Sequence, residues 1–112
     1  MGNNDLGKTS LGMEANVAGL LSYLLGFITG IIFYVLEKEN KFVRFHAMQS
    51  IVVFGALFIL MAVAGVIPGI GIVLVNLLGI LNIILWVILM VKAYQGEYFN
   101  IPVASDIARK NS

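Results

Sequence analysis

The chain has 112 residues, of which 60% are apolar and only 12% charged, where a soluble domain carries about 25% charged residues. This balance excludes an ordinary water-soluble domain, and uncharged runs of about 20 residues make lipid the natural solvent. The net charge of +1 is uninformative as a total, and with no cysteine the chain can carry no disulfide, thiol nucleophile or cysteine metal site.

The opening MGNNDLGKTSLGMEAN has no basic segment leading into a short apolar core, so no removable signal peptide is expected. Gly2 follows Met1 as in a myristoylation start, but Leu6 stands where that signal has Ser or Thr. Residues 1–12 are expected to form a mobile end. Ala15 to Leu36 then runs 22 residues without a charge, about 33 Å as a helix against a hydrocarbon core of about 30 Å. It is read as a first transmembrane helix over 13–37. A short charged connector, 38–41, follows.

The second span is expected over 42–67, its helix starting in the headgroup region with Asn40 as N-cap. Pro68-Gly69 breaks the pattern as a turn, since proline lacks the amide donor and glycine tolerates a tight reversal. Ile70 to Val91 is another uncharged run of 22 residues and predicts a third span over 70–92. In the tail, 93–112, Gly96 should end that helix and Pro102 delay its resumption, leaving Tyr94, Tyr98 and Phe99 at an interfacial aromatic level. The expected fold is therefore all-α, a three-helix transmembrane bundle with a short interfacial C-terminal segment. Lys38, Lys41, Arg44, Lys92, Arg109 and Lys110 then share one side, opposed only by Lys8. By the positive-inside rule that places the N-terminus out and the C-terminus in, within the cytoplasmic or inner membrane of the cell.

Three groups of residues stand out. Gly19, Gly26 and Gly30 recur at helical spacing, and small residues let a second backbone approach closely, within the protomer or in a homo-oligomer. Asn76, Gly79 and Asn82, with Trp86 four residues further, read as one polar stripe on an aliphatic rod. Either they fix packing through interhelical hydrogen bonds or, in an oligomer, they line a polar path. Lys41, Arg44, His46 and Gln49 gather at the start of the second span, where basic side chains and free helix amides could anchor the chain or hold an anionic lipid headgroup or a partner. Glu37 and Glu39 read as solvated charges. The lone histidine has no companions for a metal site, and no catalytic constellation or phosphate-cradling loop is visible. The chain is read as a non-enzyme without a cofactor. Its expected partners are the bilayer, anionic headgroups and a homo-oligomer or other membrane protein, not nucleic acid.

The block FVRFHAMQS at Phe42–Ser50 and the block GEYFNIP at Gly96–Pro102 identify a resemblance covering about residues 10–110. The chain resembles a family of small archaeal and bacterial membrane proteins of unknown function, distantly similar to the channel-associated Tic20 subunit of the chloroplast inner-envelope import translocon. The resemblance implies a three-span helical protein. The packing stripes and the basic-aromatic loop point to an assembly, scaffold or translocon-like role; the alternative is a small-solute or lipid-binding channel or transporter component. The import subunits are described with four spans, where three apolar runs are visible here.

Overall fold

The computed structural model describes residues 6–112, and regular structure among these residues is entirely helical. Gly2 and the first residues of the expected mobile end lie outside the described residues. The helices are α1 (Ala15–Leu24), α2 (Phe27–Leu36), α3 (Lys41–Gly65), α4 (Gly71–Tyr94) and α5 (Ala104–Lys110). Two of them, α3 and α4, are long and apolar enough to cross a membrane.

The first apolar run is not one helix. It breaks at Leu25-Gly26, where Gly26 takes φ +63°, a left-handed conformation that costs glycine nothing and other residues about 1 kcal/mol or more. The amide of Gly26 donates to the Tyr23 carbonyl at 3.0 Å, closing a tight reversal. Along α1, Gly19 lies against Phe42, His46 and Ala93, and Gly26 at the tip faces Phe54. Along α2 the chain returns: Gly30 lies against Ala47 and Ser50, and Tyr34 sits beneath Arg44. α1 and α2 are thus antiparallel half-length rods beside the first half of α3.

This replaces the single helix expected over 13–37 by two, and puts the segment before α1 at the end of the molecule where the tail lies, not at the opposite end. The Ser10 amide and hydroxyl donate to the Glu37 carboxylate at 2.9 and 2.7 Å, and the Asn16 amide donates to the Tyr94 carbonyl at 3.0 Å. The segment before α1, the α2–α3 connector and the end of α4 therefore meet at one end of the molecule, here called the proximal end. Hydropathy cannot detect the reversal, because both halves of the run are uncharged and apolar and their sum matches one span.

A break in a helix frees backbone groups that lipid cannot satisfy. Three side chains from three helices answer them. Thr29 Oγ1 accepts from the Leu25 amide at 3.0 Å, Ser50 Oγ donates to the Gly26 carbonyl at 2.8 Å, and Trp86 Nε1 donates to the Tyr23 carbonyl at 2.8 Å. The other ends are more conventional. Asn40 caps α3, its side chain accepting from the Val43 amide at 3.0 Å. α4 closes with the Glu97 amide on the Lys92 carbonyl and the Gly96 amide on the Ala93 carbonyl, both at 3.0 Å. With Gly96 at φ +81°, this is the paired-bond glycine termination expected of a helix end.

The molecule is elongated, 51 × 23 × 21 Å. Its buried apolar residues, among them Tyr23, Phe42, Val53, Phe54, Leu89 and Ala93, concentrate in the proximal half. Beyond Leu57 on α3 and before Leu89 on α4, only Ala64 and Gly71 are buried. The distal half is a two-helix hairpin closed by the uncharged turn around Pro68-Gly69, with Phe58, Ile59, Val63, Ile72 and Val73 exposed.

Candidate functional site

The two distinctive sequence blocks are the two halves of one interface. FVRFHAMQS forms the first turns of α3, and Phe42, Val43, Phe45, His46, Gln49 and Ser50 all turn inward and are buried. GEYFNIP leaves α4 and folds back across that face. His46 Nε2 lies 2.7 Å from the Glu97 carbonyl, Gln49 Nε2 donates to the Phe99 carbonyl at 3.0 Å, and the Tyr98 ring stacks on Phe45 at 5.0 Å. α5 completes the cover, with Ala104, Ser105 and Ala108 buried.

At the centre of the interface the hydrogen-bond directions are forced. A carbonyl only accepts, so His46 Nε2 carries the proton facing Glu97, and Nδ1 of the neutral ring is an acceptor. The Tyr23 hydroxyl, 2.6 Å away, therefore donates to Nδ1. It accepts in turn from Gln49 Nε2 at 3.2 Å. The chain Gln49 to Tyr23 to His46 to Glu97 ties α1, α3 and the tail together in one direction. All three side chains are fully buried, and in these surroundings each hydrogen bond of the chain is stronger than it would be in water. Gln49 Oε1 and Asn16 Oδ1 are the buried side-chain atoms without a partner among the described residues.

Beside this chain lies an electrostatic clasp. Arg44 donates to the Tyr34 carbonyl at 3.0 Å, the Glu37 carbonyl at 2.8 Å and the Ser112 carbonyl at 3.2 Å. Its guanidinium also lies 4.1 Å from the Tyr34 ring centre. The Glu37 carboxylate accepts from Ser10 and from the amides of Glu39 and Asn40 at 3.1 and 3.0 Å. Burial would raise its pKa, but these donors together outweigh that and hold it below the usual carboxylate value. Glu37 is fully buried, not the solvated charge the sequence suggested; its charge is balanced by local amides rather than by water.

The structure separates the four residues grouped for headgroup contact. Lys41 is exposed; Arg44 is engaged by main-chain carbonyls; His46 and Gln49 have no accessible surface. Burial removes the last two from any contact with a headgroup. Of the small residues, Gly19 and Gly30 face neighbours within the chain. A Cβ on Gly30 would come within 2.9 Å of the Ala47 carbonyl oxygen, and one on Gly19 within 3.0 Å of Phe42. Gly79 faces Met61 of α3.

Asn76 and Asn82 do not form one stripe. Six residues apart, at 3.6 per turn, they are rotated by about 120° around the helix axis. Asn76 is exposed and bonds back to its own Ile72 carbonyl at 2.9 Å. Asn82 is half-buried and lines a lateral groove of about 330 Å³ under the α1–α2 tip, with Leu25, Gly26, Phe54, Phe58 and Trp86.

The sequence reading takes Trp86 only as part of the polar stripe and gives Tyr23 and Glu37 no hydrogen-bonding role. Trp86 carried a usable signal, since an indole N–H within an apolar run requires an acceptor. Tyr23 and Glu37 carried none, because their partners are main-chain atoms or residues distant in sequence. Among the described residues no three His, Cys, Asp or Glu side chains come together as a metal site. What the arrangement does chemically is latch: it closes the proximal end with uncharged hydrogen bonds and one clasped arginine.

Comparison with known proteins agrees with the resemblance seen in the two blocks. A family model described as the magnetosome magnetite crystal formation protein family, MamF/MmsF, matches residues 8–108. A UPF0132 membrane protein of Methanocaldococcus jannaschii is 52% identical over 107 residues, covering 96% of each chain. A UPF0132 membrane protein of Archaeoglobus fulgidus is 48% identical over 98 residues, 88% of this chain and 95% of its own. The Tic20 family protein Ycf60 of Porphyra purpurea is 37% identical over 105 residues, covering 77% of this chain and 49% of that protein. No solved structure matches the chain.

Proposed function

The chain belongs to the MamF/MmsF family of membrane proteins, and from that premise we propose a multi-pass subunit of the cell membrane that assembles with other membrane helices and carries no enzymatic activity. The observation that carries this reading is the Asn82 carboxamide. It sits near the middle of α4, opens on a lateral groove, and has no hydrogen bond among the described residues. An unpaired amide at hydrocarbon depth is costly, and a helix from a partner or a second copy would supply the missing donor and acceptor.

The same reading orients the molecule. Lys8, Lys38, Lys41, Arg44, Lys92, Arg109 and Lys110 all belong to segments gathered at the proximal end, while the distal turn is uncharged. The positive-inside rule then puts that end, with Lys8 and the C-terminal tail, in the cytoplasm. Exposed Lys38 and Lys41 would meet anionic headgroups there. The names of the relatives, magnetite crystal formation in one case and the Tic20 family in another, support a shared structural part more than a shared reaction.

Crosslinking through Ile83→Cys, beside Asn82 in the groove, tests the assembly in native membranes. A discrete crosslinked species, lost on adding Asn82→Leu while helicity is retained, is the expected result. Monomer alone, or equal crosslinking with and without Asn82→Leu, contradicts it. The groove also favours a second reading, a small-solute or lipid-binding transport component; liposome flux abolished by Asn82→Leu would favour that reading over pure assembly.

A further inference from the structure

The two halves of the molecule differ in width at a definable depth. α1 and α2 have 10 residues each, about 15 Å of helix, which is one leaflet of a hydrocarbon core of about 30 Å. Their tip lies beside Phe54, about 20 Å along α3 from Lys41 at 1.5 Å per residue, where the whole of α3 measures about 37 Å. Four rods therefore occupy the proximal half and two the distal half. With each rod about 10 Å across, the cross-sections are roughly 300 and 160 Å².

The difference is rigid. The tip is fixed to α3 by Ser50 and to α4 by Trp86. Gly30 lets α2 approach Ala47 and Ser50 of α3 closely, and the latch at His46 and Gln49 closes the wide end. Because the Leu25 amide and the Tyr23 and Gly26 carbonyls at the tip are answered within the protein, the cost of ending the hairpin inside the hydrocarbon is reduced.

We infer that the protein is a one-leaflet wedge that concentrates in curved membrane, its wide end in the convex leaflet. A flat bilayer gives both leaflets the same area, so the narrow half leaves a gap that lipid must splay to fill. A bilayer convex on the wide side offers more area at that depth, and the mismatch falls. This inference rests on the proposed insertion with the charged end in one headgroup layer, and is independent of assembly through Asn82.

The test uses the full chain in giant vesicles of neutral lipid from which narrow tubes are pulled. Since the chain has no native cysteine, Lys110→Cys carries a single dye, and an impermeant quencher separates the two insertion orientations. Molecules with the wide end outward should be enriched severalfold on the tube, and those with it facing the lumen depleted. Equal density on tube and vesicle, or the same sign of sorting in both orientations, overturns the wedge. Alkaline carbonate extraction of the same vesicles distinguishes the failures: release of the protein refutes the membrane insertion itself, whereas retention without sorting refutes the wedge alone. Asn82→Leu should sort as the parent does; loss of sorting in that variant would assign the effect to assembly and overturn the inference.

Discussion

The proximal and distal halves handle polar groups in opposite ways. In the proximal half nearly every buried polar side chain makes a hydrogen bond within the chain, and the packing there is dense, with Tyr23, Phe42, Phe45 and Leu89 fully buried. In the distal half almost nothing is buried, and Asn82 is left open to the groove. One half stabilises itself; the other depends on what surrounds it, lipid or protein. Substitutions in the first should act on stability and those in the second on association.

The largest effect should come from His46→Leu. It deprives the Tyr23 hydroxyl of its acceptor and the Glu97 carbonyl of its donor at a fully buried site, a loss of about 3 kcal/mol. Denaturant unfolding in micelles, followed by circular dichroism, should show it. Gly30→Val comes next: a side chain forced against Ala47 and Ser50 should cost about 2 kcal/mol in the same assay. Asn40→Ala removes the α3 cap and should cost about 1 kcal/mol.

A local effect follows from Glu37. Its carboxyl is held below the usual value, so the bonds it accepts are fully present above the ordinary carboxylate range and are lost as pH falls through the lowered value. Hydrogen exchange at the Ser10 amide should stay slow at neutral pH and accelerate only in acid below that range. In Glu37→Gln it should be faster at neutral pH. The smallest stability effect belongs to Asn82→Leu, within about 0.5 kcal/mol. A large loss there would mean that the distal half is stabilised internally after all, and the contrast between the halves would fail.

The two long helices and their ends were legible in the sequence. The two long apolar runs, the Pro68-Gly69 turn and the Gly96 stop correspond to α3, α4 and their ends because each depends on local signals. Asn40 was legible as a cap for the same reason. The α1–α2 hairpin was not. Gly26 in GFITG satisfies a close-packing motif and a chain reversal equally well, and only the position of α3 decides between them. With the reversal, the single first run becomes two rods, and α1 to α4 make four, the number described for the import subunits, though α1 and α2 are each too short to cross a membrane. Among the candidate site residues, Lys41 is exposed, whereas Arg44, read as reaching a headgroup, is engaged by main-chain carbonyls. His46 and Gln49 were assigned outward because helical spacing puts them near Phe42 and Phe45 but does not say whether that face meets a headgroup or the chain's own tail.

The central claim is that α1 and α2 form a hairpin returning to the side it came from. Single cysteines at Met13→Cys, Lys38→Cys and Lys110→Cys, with Val66→Cys for the distal turn, can be probed in sealed membrane vesicles of known orientation with an impermeant maleimide. Positions 13, 38 and 110 should react from one side and position 66 from the other. Reaction of position 13 from the side of position 66 would restore a continuous first span and contradict the account.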